Sequence, residues 1–494
     1  MESIESLRRL LSVLSNEEHR ELKSLLSKRN KNDDASESKP LLLVNYLLDE
    51  RKYSAIQIQK ILYPDLNYHA FNKLKNRLKE KILEVVIRDS SIKSNSFSQR
   101  NVTIFELRKL LIKADILQLK GYRFNLLNLY DLIISRSKRV EVYDITLQAL
   151  YSKRRLMFGS VSEQKIKKLN SEIDQVEKGW LLLNRAQNVF RDITNKISVS
   201  SDSNSYHEQL VSSLKIIESF ISEFESPSLR YYYFTLLAEK SQIDRDYEKC
   251  NMYFHKIRNL LEANISIYTE NRLGSVLLNL ANNEVLLGNF NEAIRIGEES
   301  RRYFKNLKLT QKIVDENNFY ANFYLKNFHE CERYVTEAVN DRTLQNSEYL
   351  LGKFNFYHAC LLFYQDRFVE AVDLLTMQSE IKKDKEGWNI CRRILLIMCR
   401  IELEEVESAD LQIHNLQKYL KRIKKLKHLR PRYTLIVNLL IKLLNSNLQY
   451  KSFSFEKDGR FSALFNNQDY QFGWRLKSPE LVRFDHWFLK KFGA

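Results

Sequence analysis

The stretch Leu277–Ser300, LLNLANNEVLLGNFNEAIRIGEES, restricts what this chain can fold into more than any other. Leu277, Leu280 and Ala281 recur at helical spacing, so its first half predicts a helix with one apolar side. Gly288 ends that helix, because glycine accepts the left-handed conformation that closes a helix C-terminus. Phe290 follows at once, with Asn289 or Asn291 placed to cap a second helix. Ala293 is small, so the two helices can approach closely with the Phe290 ring buried between them. One such pair cannot hide its apolar face and must lean on copies of itself.

Copies are found by sliding the pattern aromatic-x-x-small behind a polar turn. DYEKC sets Tyr247 before Cys250, NFHEC sets Phe328 before Cys331, and RFVEA sets Phe368 before Ala371. Successive aromatics are 43, 38 and 40 residues apart, and nine residues before them stand Ala238, Ala281, Phe319 and Ala359. Ala338 adds a further small position behind Phe328. The spacing predicts that Tyr247, Phe290, Phe328 and Phe368 are buried between paired helices. Over about residues 228–380 the set resembles the tetratricopeptide repeat family. The units are longer than that family's usual length of about 34 residues, and the first-helix Trp is absent. The resemblance implies an all-α, right-handed solenoid of antiparallel helix pairs. It also implies a concave face made by the first helix of each unit, which by position includes Glu239, Asn282, Tyr320 and Lys353 as partner-binding residues. A protein partner follows from the same resemblance.

Composition points the same way. At 494 residues the chain is too long for one compact core, and stacked helices are a common way to extend. Only 11 Gly and 5 Pro interrupt it, while 26 Tyr and 27 Phe supply rings for repeats to interlock. The cysteines Cys250, Cys331, Cys360, Cys391 and Cys399 are scattered without a C-x-x-C pair, as expected of buried thiols in a reducing compartment. MESIESLRRLL begins acidic and lacks a long apolar run, unlike a signal peptide. TLIVNLLIKLL is broken by Asn438 and Lys442 and is too short to span a bilayer. The expectation is a cytoplasmic protein with no membrane insertion.

Four regions follow along the chain. Residues 1–90 predict an N-terminal helical domain, with a cap at Ser15 or Asn16, Pro40 in a helix first turn and a capping box at Ser54 and Gln57. Asn67 then caps a long helix whose apolar stripe is Phe71, Leu74, Leu78, Ile82 and Val85. Its other side shows Asn72, Lys73, Asn76, Arg77 and Lys79, and the whole has the outline of a helix-turn-helix unit. That makes Asn72, Lys73, Asn76 and Arg77 candidate DNA-reading residues; the plainer reading is a solvated basic face. A polar linker near Ser90–Asn101 leads to a long-helix region at 104–200, where Gly179 is placed to interrupt one helix. After a second linker, Ser198–Ser205, tetratricopeptide-like repeats are expected over 207–445. Residues 446–494 predict a hairpin around Asp458-Gly459 and a final helix capped by Ser478 with Pro479 first. Trp474, Phe484, Trp487 and Phe488 gather there, as in a cap sealing the last repeat.

The strongest charge feature is Lys418, Lys421, Arg422, Lys424, Lys425, Lys427, Arg430 and Arg432, with no acid among them. Leu416, Tyr419, Leu420, Ile423 and Leu426 keep an apolar face through the run, which predicts a helix with one basic side. Such a side suits a polyanion or an acidic protein, although the whole chain is basic at a formal net charge of +17. Catalytic motifs are missing: there is no Gly-rich phosphate loop, G-x-S-x-G or H-E-x-x-H. His329 with Cys331 and His358 with Cys360 stand two apart and diverge on a helix, so no metal site is expected. The sequence therefore predicts a non-enzymatic protein–protein interaction scaffold without cofactor or small-molecule substrate. The alternative is a nucleic-acid-binding regulator whose repeats sense a partner. A titration with duplex DNA over a salt series separates the two, since each neutralised phosphate adds about 0.9 to the slope of log affinity against log salt. Replacing Lys421, Lys424, Lys425 and Lys427 by Gln should leave the helical signal intact, weaken polyanion binding and flatten that slope; unchanged binding rejects the site.

Overall fold

The computed structural model describes residues 3–27, 38–49, 53–65, 67–88, 98–123, 125–159, 161–197, 203–304, 307–341, 344, 347–377, 380–382, 384, 387–423, 430–446, 459–465 and 471–492. Every regular element among the described residues is an α-helix. The chain divides into two compact units, 1–113 and 114–494.

The first unit contains α1 (Ile4–Ser12), α2 (Asn16–Ser27), α3 (Lys39–Leu48), α4 (Ala55–Leu62) and α5 (Tyr68–Arg88). Local chemistry sets their starts. Ser15 and Glu18 exchange side-chain and backbone hydrogen bonds at the head of α2, and Ser54 with Gln57 forms the expected capping box on α4. Asn67 accepts from the Ala70 N–H at the head of α5. The stripe Phe71, Leu74, Leu78, Ile82 and Val85 is buried against Leu7, Leu11, Leu43 and Val44. Helix α6 (Gln99–Leu119) carries the chain into the second unit and begins inside the linker expected up to Asn101, whose residues 90–97 lie outside the described residues.

The second unit continues with α7 (Leu126–Arg139), α8 (Tyr143–Met157), α9 (Glu163–Ile197), α10 (Ser203–Glu223), α11 (Pro227–Ile243) and α12 (Tyr247–Ala263). Then come α13 (Glu270–Leu287), α14 (Phe290–Arg301), α15 (Lys308–Tyr324), α16 (Phe328–Val339), α17 (Glu348–Tyr364) and α18 (Phe368–Met377). It ends with α19 (Trp388–Glu402), α20 (Val406–Ile423), α21 (Pro431–Asn445), α22 (Gly459–Phe465) and α23 (Phe484–Phe492). From α7 to α22, each helix packs on the next one in the chain.

One turn recurs through this unit. The residues Glu141, Arg245, Gly288, Lys326, Asp366 and Glu404 all have φ between 53° and 83°, the left-handed region. In each case the next N–H reaches back five residues: Val142 to Ser137, Asp246 to Ser241, Asn289 to Glu284, Asn327 to Asn322, Arg367 to Leu362 and Glu405 to Arg400, at 2.8–3.0 Å. This is the closure that satisfies orphan carbonyls at a helix C-terminus. Two residues after the left-handed position the second helix begins, at Tyr143, Tyr247, Phe290, Phe328, Phe368 and Val406. Three further on stand Thr146, Cys250, Ala293, Cys331, Ala371 and Ala409, each at 0% exposure. The register read from Tyr247 to Phe368 is thus the real one, and it extends to Tyr143 and Val406.

The aromatics themselves differ from expectation. Tyr247, Phe290, Phe328 and Phe368 are half-buried, because a ring on the first residue of a helix sits at the mouth of the pair. Three of them lie against rings near the C-terminal ends of first helices. Phe290 meets Tyr324 at 5.2 Å, Phe328 meets Tyr364 at 5.7 Å and Phe368 meets Phe363 at 5.3 Å between centroids. The small residues, and the first-helix residues Ala238, Ala281, Phe319 and Ala359, form the closed interior.

Other expectations are corrected. Helix α9 runs through Gly179 without a break, and the Phe224 ring lies where a β-carbon on Gly179 would project. The segment expected as the second strand of a hairpin is helical from Gly459 to Phe465, while residues 447–458 lie outside the described residues. The last helix starts at Phe484 and not at Pro479. Glu480 is engaged elsewhere and uses one oxygen to accept the Phe484 N–H at 3.0 Å, so it caps the helix from outside.

Two glycines carry the pairing of α13, α14 and α15. Gly288 has φ +83, and a β-carbon on Gly297 would stand 2.4 Å from Asn318 Oδ1. Gly288→Ala should cost about 1 kcal/mol through left-handed strain, and Gly297→Ala about 1–3 kcal/mol through overpacking. Urea denaturation of the two variants checks both values.

Candidate functional site

The first helices of successive pairs line up one face, and the C-terminal segment before α23 lies on it. Lys477 is the meeting point. Its backbone N–H donates to Tyr324 Oη at 2.9 Å, and its Nζ donates to Asn282 Oδ1 at 2.5 Å and Asn317 Oδ1 at 3.1 Å. The ammonium also stands 5.0 Å from the Tyr320 ring centroid, a distance at which the ring's negative face attracts it. Trp474 meets Tyr324 edge-on at 6.0 Å. Its indole N–H donates to Glu480 O at 2.8 Å, and Arg483 lies over its ring at 4.6 Å.

Behind this contact runs a buried polar chain. Tyr320 and Tyr357 hydroxyls are 3.1 Å apart, Tyr357 donates to Glu316 Oε1 at 2.5 Å, and Lys353 Nζ reaches the same oxygen at 2.5 Å. Lys353 also stands 4.6 Å from the Trp388 ring. Burial alone would raise the Glu316 carboxyl, but Lys353, the Tyr357 hydroxyl and Lys477 hold it below its ordinary value. Burial, then Glu316 and Tyr320, push Tyr357 well above the usual tyrosine value, so it stays protonated and donates. Of the residues expected on this face, Asn282, Tyr320 and Lys353 are thus brought together. Glu239 is not with them: it lies half-buried on α11 beside Tyr206 of α10, where burial raises its carboxyl against the pull of the Tyr206 hydroxyl.

The segment is held from the other side by Arg432. This residue was expected in the polyanion-binding run, and the structure corrects that placement, for its exposure is 0%. Its Nε and Nη2 grip Glu480 at 2.7 Å each, and Nη2 also reaches Asp485 at 3.1 Å. Nη1 donates to Leu464 O at 2.9 Å and Phe472 O at 2.7 Å. All five N–H donors of the guanidinium are used, which is what allows a cation to be buried. Arg430 donates to Gly473 O at 2.8 Å and also belongs to this anchor. Among the remaining basic residues Lys418, Lys421 and Arg422 are exposed on α20, which ends at Ile423. Lys424, Lys425 and Lys427 lie outside the described residues. In the first unit Lys73, Asn76 and Arg77 are exposed on α5 and Asn72 is half-buried.

Sequence reasoning missed Lys477, Asn317, Tyr324 and Glu316. No local pattern marks them, since Lys477 and Asn282 are 195 residues apart along the chain. His329 is exposed while Cys331 is buried, so that pair does diverge. Among the described residues no group of three His, Cys, Asp or Glu could hold a metal ion, and no helix is long and apolar enough to cross a membrane.

The face made by α13, α15 and α17, in phase with the recurring turn, decides the architecture. The second unit is a helical repeat, built of helices paired in chain order through one recurring turn. No family model matches it, and no curated protein does. Among solved structures it is similar to a Signal Transduction ATPase with Numerous Domains (STAND) protein with a tetratricopeptide repeat sensor, from Pyrococcus horikoshii. The two share 12% identity at a TM-score of 0.39, over 90% of this chain and 68% of that chain.

The Arg432 anchor generates a stability prediction. Removing one partner of a buried pair leaves the others uncompensated, so Arg432→Ala should cost about 3–5 kcal/mol. For Asp485, burial acts to raise the carboxyl, but the hydrogen bond from Arg483 and the charge of Arg432 leave it depressed. Its contribution is therefore full above the unfolded value of about 3.9 and is lost as pH falls through the lower folded value. Thermal melts from pH 7 to pH 3 should show a loss below about pH 4 that is smaller in Asp485→Asn.

Proposed function

We propose that this protein is a non-enzymatic interaction scaffold of the cytoplasm whose first-helix face holds an extended segment of a protein partner, without cofactor. The observation that carries the reading is Lys477 on Asn282, Asn317 and Tyr320: a non-helical piece of polypeptide held by side chains of two successive first helices. Amide carbonyls and ring faces of this kind recognise a cation and a backbone without chemistry being done on either. The buried tyrosine and carboxylate chain behind them keeps the ring of Tyr320 in place. Selection of random peptides on the full chain, displayed on phage, should enrich binders that the double variant Asn282→Ala, Asn317→Ala weakens about tenfold or more, the loss of about 1.4 kcal/mol. Enriched peptides indifferent to both substitutions would move the interaction away from this face.

Nucleic acid is the second reading. It is supported by the exposure of Lys73, Asn76 and Arg77 on one helix of the first unit and of Lys418, Lys421 and Arg422 on α20. The salt series with duplex DNA described above is its check.

A further inference from the structure

We infer that the stretch Trp474–Ser478 is a built-in occupant of the first-helix face, and that the outside partner is a protein segment presenting a large aromatic with a lysine three residues later, which must displace it. This rests on the scaffold reading and names both its partner chemistry and its regulation.

Two sets of contacts hold this stretch differently. Arg430 on Gly473, Arg432 on Phe472 and Glu480, and Glu480 on the Phe484 N–H pin the two ends of the stretch. Between those pins, Lys477 meets the face through its backbone N–H and its ammonium, and Trp474 through its ring. Lifting the middle gives up these contacts and the Trp474 indole bond to Glu480 O, while the Arg430, Arg432 and Glu480 pins and α23 stay seated. Lys477 also has φ +55, in the left-handed region that a lysine rarely adopts. A strained residue at a clamp is a contact that a relaxed competitor can replace.

The face holds more hydrogen-bonding capacity than its own occupant uses. Asn317 is 2% exposed, and among the described residues its Nδ2 is buried without an acceptor, while its Oδ1 receives Lys477. A partner backbone carbonyl would satisfy that donor, so an outside segment can match the Lys477 contacts and add one. The covalent tether opposes this advantage. A tethered occupant acts at an effective concentration of the order of millimolar, so it suppresses weak or unmatched partners.

The test uses a fluorescein-labelled synthetic peptide of residues 471–483, QFGWRLKSPELVR, and anisotropy titrations on the full chain. Lys477→Ala, checked for unchanged helicity by circular dichroism, should bind the peptide at least about tenfold tighter than the unsubstituted chain. The same peptide with its lysine changed to glutamine should lose that gain. Adding Asn282→Ala and Asn317→Ala to Lys477→Ala should abolish it as well. On the unsubstituted chain, excess peptide should speed tryptic cleavage after Arg475 and Lys477. Equal affinity for the unsubstituted chain and Lys477→Ala, still dependent on Asn282 and Asn317, would overturn self-occupancy and leave the scaffold reading standing. Binding indifferent to the two asparagines would overturn the scaffold reading on this face. No binding to any form would overturn the proposed partner chemistry, with the phage selection left to judge the face itself.

Discussion

A helix can fold back on its neighbour only if its C-terminal carbonyls find donors and the two backbones can come close. Both conditions are met here by one repeated device. A left-handed residue lets the following N–H reach back five positions, and a small side chain three residues into the next helix removes the obstacle to contact. Everything else in the repeat region follows from this pairing: the order of the helices, the closed interior and the alignment of first helices into one face. The device tolerates imperfect residues. Glu141, Arg245, Lys326, Asp366 and Glu404 accept a conformation that suits glycine, and the packing on either side compensates for the strain.

The end of the repeats is governed by a different constraint. A guanidinium removed from water is costly, and Arg432 avoids the cost by using all five of its donors on Glu480, Asp485, Leu464 O and Phe472 O. Those acceptors come from α22, the segment before α23 and α23 itself, so a single side chain of α21 ties all three together. Trp487 and Lys491 then fasten α23 to Glu402 of α19, at 2.5 and 2.7 Å. The rings of Phe484, Trp487, Phe488 and Phe492 pack into the core, while the ion pairs decide where α23 sits. The path between anchor and cap brings Lys477 to the first-helix face.

Several features were legible because their causes are local. Capping at Ser15, Ser54 and Asn67 depends on residues three apart. The stripe from Phe71 to Val85 and the buried cysteines follow helical period and side-chain size. The repeat register was visible from Tyr247 to Phe368, where an aromatic and a small residue stand together. At Val406 the aromatic is missing, and at Tyr143 a threonine replaces the small apolar residue, so those pairs were hidden. The tail misled for a related reason. Pro479 with Glu480 reads as a helix start until Glu480 is committed to Arg432, which delays the helix to Phe484.

By itself, then, the sequence determined the helical class, the pairing of helices and most of the register, since periodicity, turn chemistry and side-chain size act within a few residues. Tertiary structure alone decided that Arg432 is an interior anchor and not part of a surface charge, because its partners lie 48 and 53 positions away. It also decided that Asn282, Asn317 and Tyr320 meet Lys477. A hydrogen bond across 195 residues leaves no trace in local spacing; it exists only once stacked helices have brought distant side chains within three ångströms of one another.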